Sequence, residues 1–113
     1  MATLTTQQVT RTGLAPAFAA AAAGGDKFVP NKDTILHIKN GSGGSLTATI
    51  VTPKEAFSGA AIADIAVAVP AAGERIIGPF PYENFADPSD ALANLTYSGV
   101  TSLTVAVYQV QEQ

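Results

Sequence analysis

The chain predicts an all-β domain, an antiparallel β-sandwich or jelly-roll-like small barrel with a flexible N-terminal arm. Val100 to Val110 alternates, with Leu103, Val105 and Val107 on one side of an extended chain and Thr104, Ala106 and Tyr108 on the other. That is the period-two signature of a half-buried strand. The pattern recurs at Leu46 to Val51, Ile65 to Val69 and Leu95 to Tyr97, each run bounded by Gly, Pro, Asn or Ser, the residues that turn a chain at the end of a strand. At 113 residues with no cysteine, the chain fits one domain whose core comes from Val, Ile, Leu and Phe rather than from disulfides.

Residues 1–12 are polar and β-branched, with isolated apolar residues at Leu4 and Val9. They read as an arm or edge strand and leave 13–113 as the single β domain. Gly13 to Phe18 and the five alanines that follow are open between helix and strand. Alanine favours helix, yet Gly24-Gly25 stops a helix after barely two turns, so a strand packed closely against a neighbour is the better reading. Asp26 to Asp33 reads as a loop holding Phe28 and Val29, ahead of a strand over 34–39. Asn40-Gly41-Ser42-Gly43-Gly44 reads as a hairpin turn that makes 34–39 and 46–51 antiparallel neighbours. Pro53 closes the second strand, and 54–64 is a connection anchored by Phe57 and Ile62. Pro70 to Gly73 turns the chain between the strand 65–69 and the extended stretch 74–80. Residues 82–93 form a loop in which Asp87 or Ser89 caps a short turn through Leu92. Ser98-Gly99 then closes a final hairpin between 95–97 and 103–110. About eight strands at this spacing suit a sandwich, jelly roll or small barrel.

Composition narrows the function. Charged residues make up 13%, against roughly 25% in ordinary globular proteins. A net charge of -3 and a pI near 4.8, with no clustering of Lys and Arg, give no field to attract phosphates, so nucleic acid is excluded as a partner. The longest apolar stretch, Leu14 to Ala23, is too short to span a bilayer, and only Arg11 precedes it, which is no signal-peptide n-region. No membrane partner is expected, and the protein is expected to be made and used without secretion. Few charges on a β protein carry a further implication: either strand edges are covered, or pairing with another chain is their purpose.

Reactive side chains are sparse. His37 is the single histidine and alternates with Ile35 and Lys39, which reads as a satisfied strand histidine, because a triad needs a nucleophile and an orienting group as well as a base. No serine sits in a Gly-x-Ser-x-Gly elbow. Glu83, Asp87 and Asp90 share the longest loop, but their spacing matches no EF-hand and reads as a solvated turn. Glu74 and Arg75 are strand neighbours that point to opposite faces. Residues 40–44 lack the Lys-Ser/Thr and the following helix of a phosphate loop. Asn40-Gly41-Ser42 and Asn94-Leu95-Thr96 are formal sequons without a secretion signal. Tyr82, Phe85, Tyr97 and Tyr108 could build a sugar platform, but five Phe and three Tyr are first needed for packing. No catalytic, cofactor-binding or metal-ligating residue is assigned, no cofactor is expected, and the chain is read as a non-enzyme.

Three segments together carry a resemblance: Gly24 to Phe28 ahead of Leu36 to Ser42, then Pro70 to Phe80, then Tyr97 to Val105. In this order they resemble small β-rich virion structural proteins of tailed bacteriophages, encoded near the major capsid protein. The resemblance implies a capsid decoration (cement) protein that binds the shell exterior and resists internal pressure, located on the virion after synthesis in the host cytoplasm. Its implied partners are the major capsid protein and further copies of itself, a trimer being one such oligomer. On this reading Leu4, Val9 and Arg11 of the arm are the expected contact residues, since apolar residues on a polar arm can add a strand to a neighbouring sheet. A tail or head-completion subunit and a carbohydrate-binding sandwich are the alternatives.

Overall fold

Alternation becomes structure wherever the chain has it. A computed structural model describes residues 2–52, 64–87 and 90–110, and among these it contains ten strands. They are β1 (Ala2–Thr3), β2 (Thr6–Val9), β3 (Ala19–Ala20), β4 (Asp26–Phe28), β5 (Thr34–Asn40), β6 (Leu46–Val51), β7 (Ile65–Val69), β8 (Glu74–Ile77), β9 (Ala93–Tyr97) and β10 (Leu103–Val110). A single helical turn, α1 (Tyr82–Phe85), interrupts the longest loop. The strands form two packed sheets, a β-sandwich and not a closed barrel. Sheet I runs β1-β4-β9-β6-β7; sheet II runs β2-β10-β5-β8, with β3 beside β10.

The core lies where the apolar phases of the two sheets meet. On β5, Leu36 and Ile38 point inward and are fully buried, while Ile35, His37 and Lys39 point outward. Ile50 and Leu95 of sheet I and Val105 and Val107 of sheet II close the same cluster. Phe28, Phe80 and Phe85 add an aromatic corner, with Phe28 edge-on to Phe80 at 5.1 Å and Phe80 edge-on to Phe85 at 5.4 Å, an arrangement aromatic quadrupoles favour.

Four expectations are corrected here. The segment 40–44 is not a hairpin turn, because β5 lies in sheet II and β6 in sheet I. A type I′ hairpin needs positive φ at both central residues, and neither Asn40 nor Gly41 is among the positive-φ positions. Instead the Asn40 side chain turns inward and holds the crossover. Nor is 95–110 a hairpin, since β9 belongs to sheet I and β10 to sheet II. The turn 70–73 switches sheets as well. All three crossovers meet at one end: Asn40 N–H donates to Gly73 O at 2.8 Å, Gly41 N–H to Ser102 O at 2.9 Å and Ala72 N–H to Ser42 O at 3.3 Å.

The third correction concerns residues 1–12, which are not a free arm. β1 pairs in parallel with β4, and β2 pairs in parallel with β10. Leu4, between them, is 7% exposed and belongs to the core cluster. These are the two parallel pairings in an otherwise antiparallel pair of sheets. The stretch expected as a loop, Asp26–Phe28, is the strand β4, sealed between β1 and β9. The alanine run does form a strand over Ala19–Ala20, antiparallel to β10, with Ala19 opposite Val105. The connection holding Phe57 and Ile62 lies outside the described residues. Its two ends meet where Thr52 N–H and Oγ–H both donate to Asp64 Oδ1, at 2.9 and 3.1 Å.

Candidate functional site

The outer face of sheet II gathers the outward-pointing residues with chemical character. His37 stands near its centre. In an antiparallel pair, diagonal neighbours on one face come within reach of long side chains. His37 faces Ala106 and Ile76, so Tyr108 and Glu74 are its diagonals. Nε2 lies 2.6 Å from Glu74 Oε1, and Nδ1 lies 3.1 Å from the Tyr108 hydroxyl. In the neutral ring, Nε2–H donates to the carboxylate and Nδ1 accepts from the phenol. His37 is thus satisfied on both nitrogens.

A strap covers this cluster. After β2 the chain reverses at Gly13, whose φ of 100° suits a residue without a Cβ, and returns across the outer face of the sheet. The Gln7 amide acts as a ladder rung for it, donating to Ala17 O at 2.8 Å and accepting Ala17 N–H at 2.9 Å. Phe18 then meets the His37 ring edge-on at 5.0 Å, and Lys39 Nζ sits 4.9 Å from the Phe18 ring centroid. Burial first, and the Glu74 charge second, push the Tyr108 phenol above its ordinary value. A phenol kept protonated is the reverse of an activated nucleophile. The trio Glu74, His37 and Tyr108 ties β8, β5 and β10 together across the face, and Phe18 of the strap rests against its central ring.

Beside the strap the face is apolar. A groove of about 410 Å³ is lined by Ile35, Ile76, Ile77, Gly78, Pro79 and Val110, with Lys32 and Asp33 at its rim. A smaller hollow of about 250 Å³ lies among Val9, Leu14, Pro16, His37 and Tyr108. Ile76 is 66% and Val110 45% exposed, although both sit on a face where a solvated sheet normally carries polar groups. Gly78 shapes one wall: its φ is 153°, and a Cβ there would stand 2.8 Å from Thr34 O.

The remaining expected residues scatter. Leu4 is buried in the core, Val9 lines the smaller hollow, and Arg11 is exposed in the turn between β2 and the strap. The three tyrosines share no platform. Tyr108 is on the outer face of sheet II and Tyr82 is exposed on α1. Tyr97 packs against the core and donates to Asp26 Oδ2 at 2.6 Å. Asp26 is 1% exposed and also accepts Ala22 N–H at 3.2 Å, so the pair pins the alanine-rich segment onto sheet I. Burial, with the Asp26 hydrogen bond and charge behind it, drives the Tyr97 phenol far above its ordinary value.

In the acidic loop Asp90 pairs with Lys27. Asp87 accepts from Asn94 Nδ2 at 3.3 Å, while its carbonyl takes Ala91 N–H at 2.7 Å. The short capped turn expected there runs through residues outside the described ones, and Ser89 and the Glu83 side chain lie outside them as well. Among the described residues no three His, Asp or Glu side chains gather as a metal site, and no helix is long and apolar enough to cross a membrane.

No protein-family model matches the chain, and no curated protein or solved structure matches it either.

Proposed function

We propose that this protein is a non-enzymatic virion structural subunit that binds the exterior of a tailed-phage capsid and stabilises the shell. The observation that carries the reading is the apolar groove on the outer face of sheet II, flanked by exposed Ile76 and Val110. An apolar strip on a low-charge domain suits docking against another protein rather than solvation. The resemblance of the three turn-and-strand segments supplies the partner, the major capsid protein. Many copies on a symmetric shell sum modest contacts by avidity, so a shallow groove suffices, and copies of the chain meet at a symmetry axis as a trimer.

The contact set differs from an arm-based one. Leu4 is committed to the core and cannot also be a contact while the fold persists. Val9 lies on the same face as the groove, Arg11 in the turn next to it, and Ile76 and Val110 join them.

Co-sedimentation with expanded capsids of the source phage, scored for copy number, tests the reading. Saturation at a fixed number of copies per capsid subunit, weakened by Ile76→Glu without loss of the folded circular-dichroism signal, is expected. Absence of binding overturns it. A few copies per particle replaces it with a tail or head-completion subunit.

A further inference from the structure

The crossover end carries a chemically labile pair at its centre. Backbone attack on a side-chain amide is least hindered when glycine follows asparagine, because glycine presents no Cβ beside the attacking nitrogen. We propose that Asn40-Gly41 is a latent deamidation site, held shut by the native fold and opened only when the sheet-switching end comes apart. This does not depend on the capsid reading.

In the reaction, solvent base removes the Gly41 N–H proton and the nitrogen attacks Asn40 Cγ. A C–N bond forms, the Cγ–Nδ2 bond breaks, and ammonia leaves. Water then adds to either carbonyl of the cyclic imide, giving aspartate or isoaspartate, with no oxidant or reductant required.

Each requirement is blocked in the fold. The Gly41 N–H is donated to Ser102 O at 2.9 Å, so the attacking nitrogen is held in a ladder. The leaving nitrogen, Asn40 Nδ2, donates to Gly44 O at 2.9 Å and Val69 O at 3.0 Å, with Pro70 O at 3.3 Å. Oδ1 accepts Ser42 N–H at 2.9 Å and Ser42 Oγ–H at 2.6 Å. The side chain cannot swing toward Gly41 without releasing these bonds, and at 2% exposure it is shielded from hydrolytic water.

The product does not fit back. A carboxylate would face the carbonyl oxygens of Gly44, Val69 and Pro70, all acceptors, with no proton to offer them. Isoaspartate would also lengthen the backbone at the point where three turns interlock. Conversion therefore traps an opened chain.

The test compares the full-length protein in mildly alkaline native buffer with the same protein in urea above its unfolding midpoint. The peptide spanning residues 40 and 41 is followed by mass spectrometry. We expect conversion in urea to exceed the native rate by at least about tenfold, as for a process gated by local opening. Ser42→Ala is expected to raise the native rate, and Gly41→Ala to suppress conversion in urea, where folding is irrelevant. Chains converted in urea and then dialysed are expected to lack the native circular-dichroism signal. Equal rates in the two conditions, conversion in urea indifferent to Gly41→Ala, or refolding of converted chains would overturn the proposal.

Discussion

Leu4→Ala separates a docked N-terminus from a free arm. Leu4 sits between β1 and β2, is 7% exposed and belongs to the core cluster, and its N–H donates to Lys27 O at 2.7 Å. Truncation to alanine removes about three carbon atoms, worth roughly 2.4 kcal/mol at about 0.8 kcal/mol per buried methylene. The cavity contribution is small here, because a hollow of about 390 Å³ already adjoins the side chain and lets surroundings or solvent fill the gap. The expected cost is therefore about 2–3 kcal/mol, the lower part of the range for core Leu→Ala changes. For a domain of this size that lowers Tm by about 10 °C. Urea denaturation is the assay, since a lower midpoint at unchanged slope identifies a loss of stability rather than a change in compactness. Val9→Ala, at a partly exposed position, should cost less than about 1 kcal/mol. A Leu4→Ala midpoint equal to the parent's would refute the assignment of residues 2–9 to the two sheets and restore the arm.

Further perturbations address other parts of the fold. Tyr97→Phe removes a hydrogen bond to a buried carboxylate and should cost about 1.5–3 kcal/mol by thermal unfolding. Because the folded pKa of Tyr97 is raised above its ordinary 10.0, its stabilising contribution is complete below pH 10 and declines as pH climbs beyond it; the fall in Tm above pH 10 should be shallower in Tyr97→Phe. The Lys27 partner, assisted by Leu92 N–H, holds the Asp90 carboxyl below its ordinary value. That contribution is present above pH 3.8 and lost on further acidification, so in Lys27→Met the Asp90 titration followed by NMR should move up. Gly78→Ala forces a Cβ toward Thr34 O at a φ of 153° and should cost about 1–3 kcal/mol. Ala72→Gly relieves an exposed residue at φ 56° and should raise stability by about 1 kcal/mol. An unchanged Tm in either case would count against the backbone geometry at that turn.

Much of this architecture is written in the sequence, and what is missing has a physical reason. Period-two alternation fixes which residues of a strand share a face, and on β5, β6 and β10 the faces carrying Leu36, Ile50 and Val105 are the buried ones. Alternation does not say whether two consecutive strands lie side by side or stack face to face, since both arrangements bury the same residues. Asn40-Gly41 was therefore legible as a turn and illegible as a crossover, because the decisive bonds run from its side chain to Val69 and Pro70, far along the chain. β4 escaped because Asp26 and Lys27 are poor strand formers and the strand is short; the buried partner of Asp26 is Tyr97, seventy-one residues away. A lone Leu4 in polar surroundings gave no periodicity to read. Of the candidate surface, His37 was identifiable as a satisfied strand histidine, but Glu74 and Tyr108 reach it only through strand register, and the groove beside it is assembled from three separate segments.

Sheet II is organised on β10, which follows its partners β2, β3 and β5 in the chain. β10 takes β2 and β3 along one side and β5 along the other, so while residues 103–110 remain inside the ribosome, those three strands have no common partner. β5 and β8 can pair earlier, but β2 and β3 must wait. Completion of this sheet therefore waits on β10, and joining β2 to it closes a loop of 101 residues, the circumstance that slows folding and lengthens exposure of unpaired edges. A product truncated before β10 would display the apolar inner faces of both sheets, so only chains that carry this strand can form the outer face of sheet II.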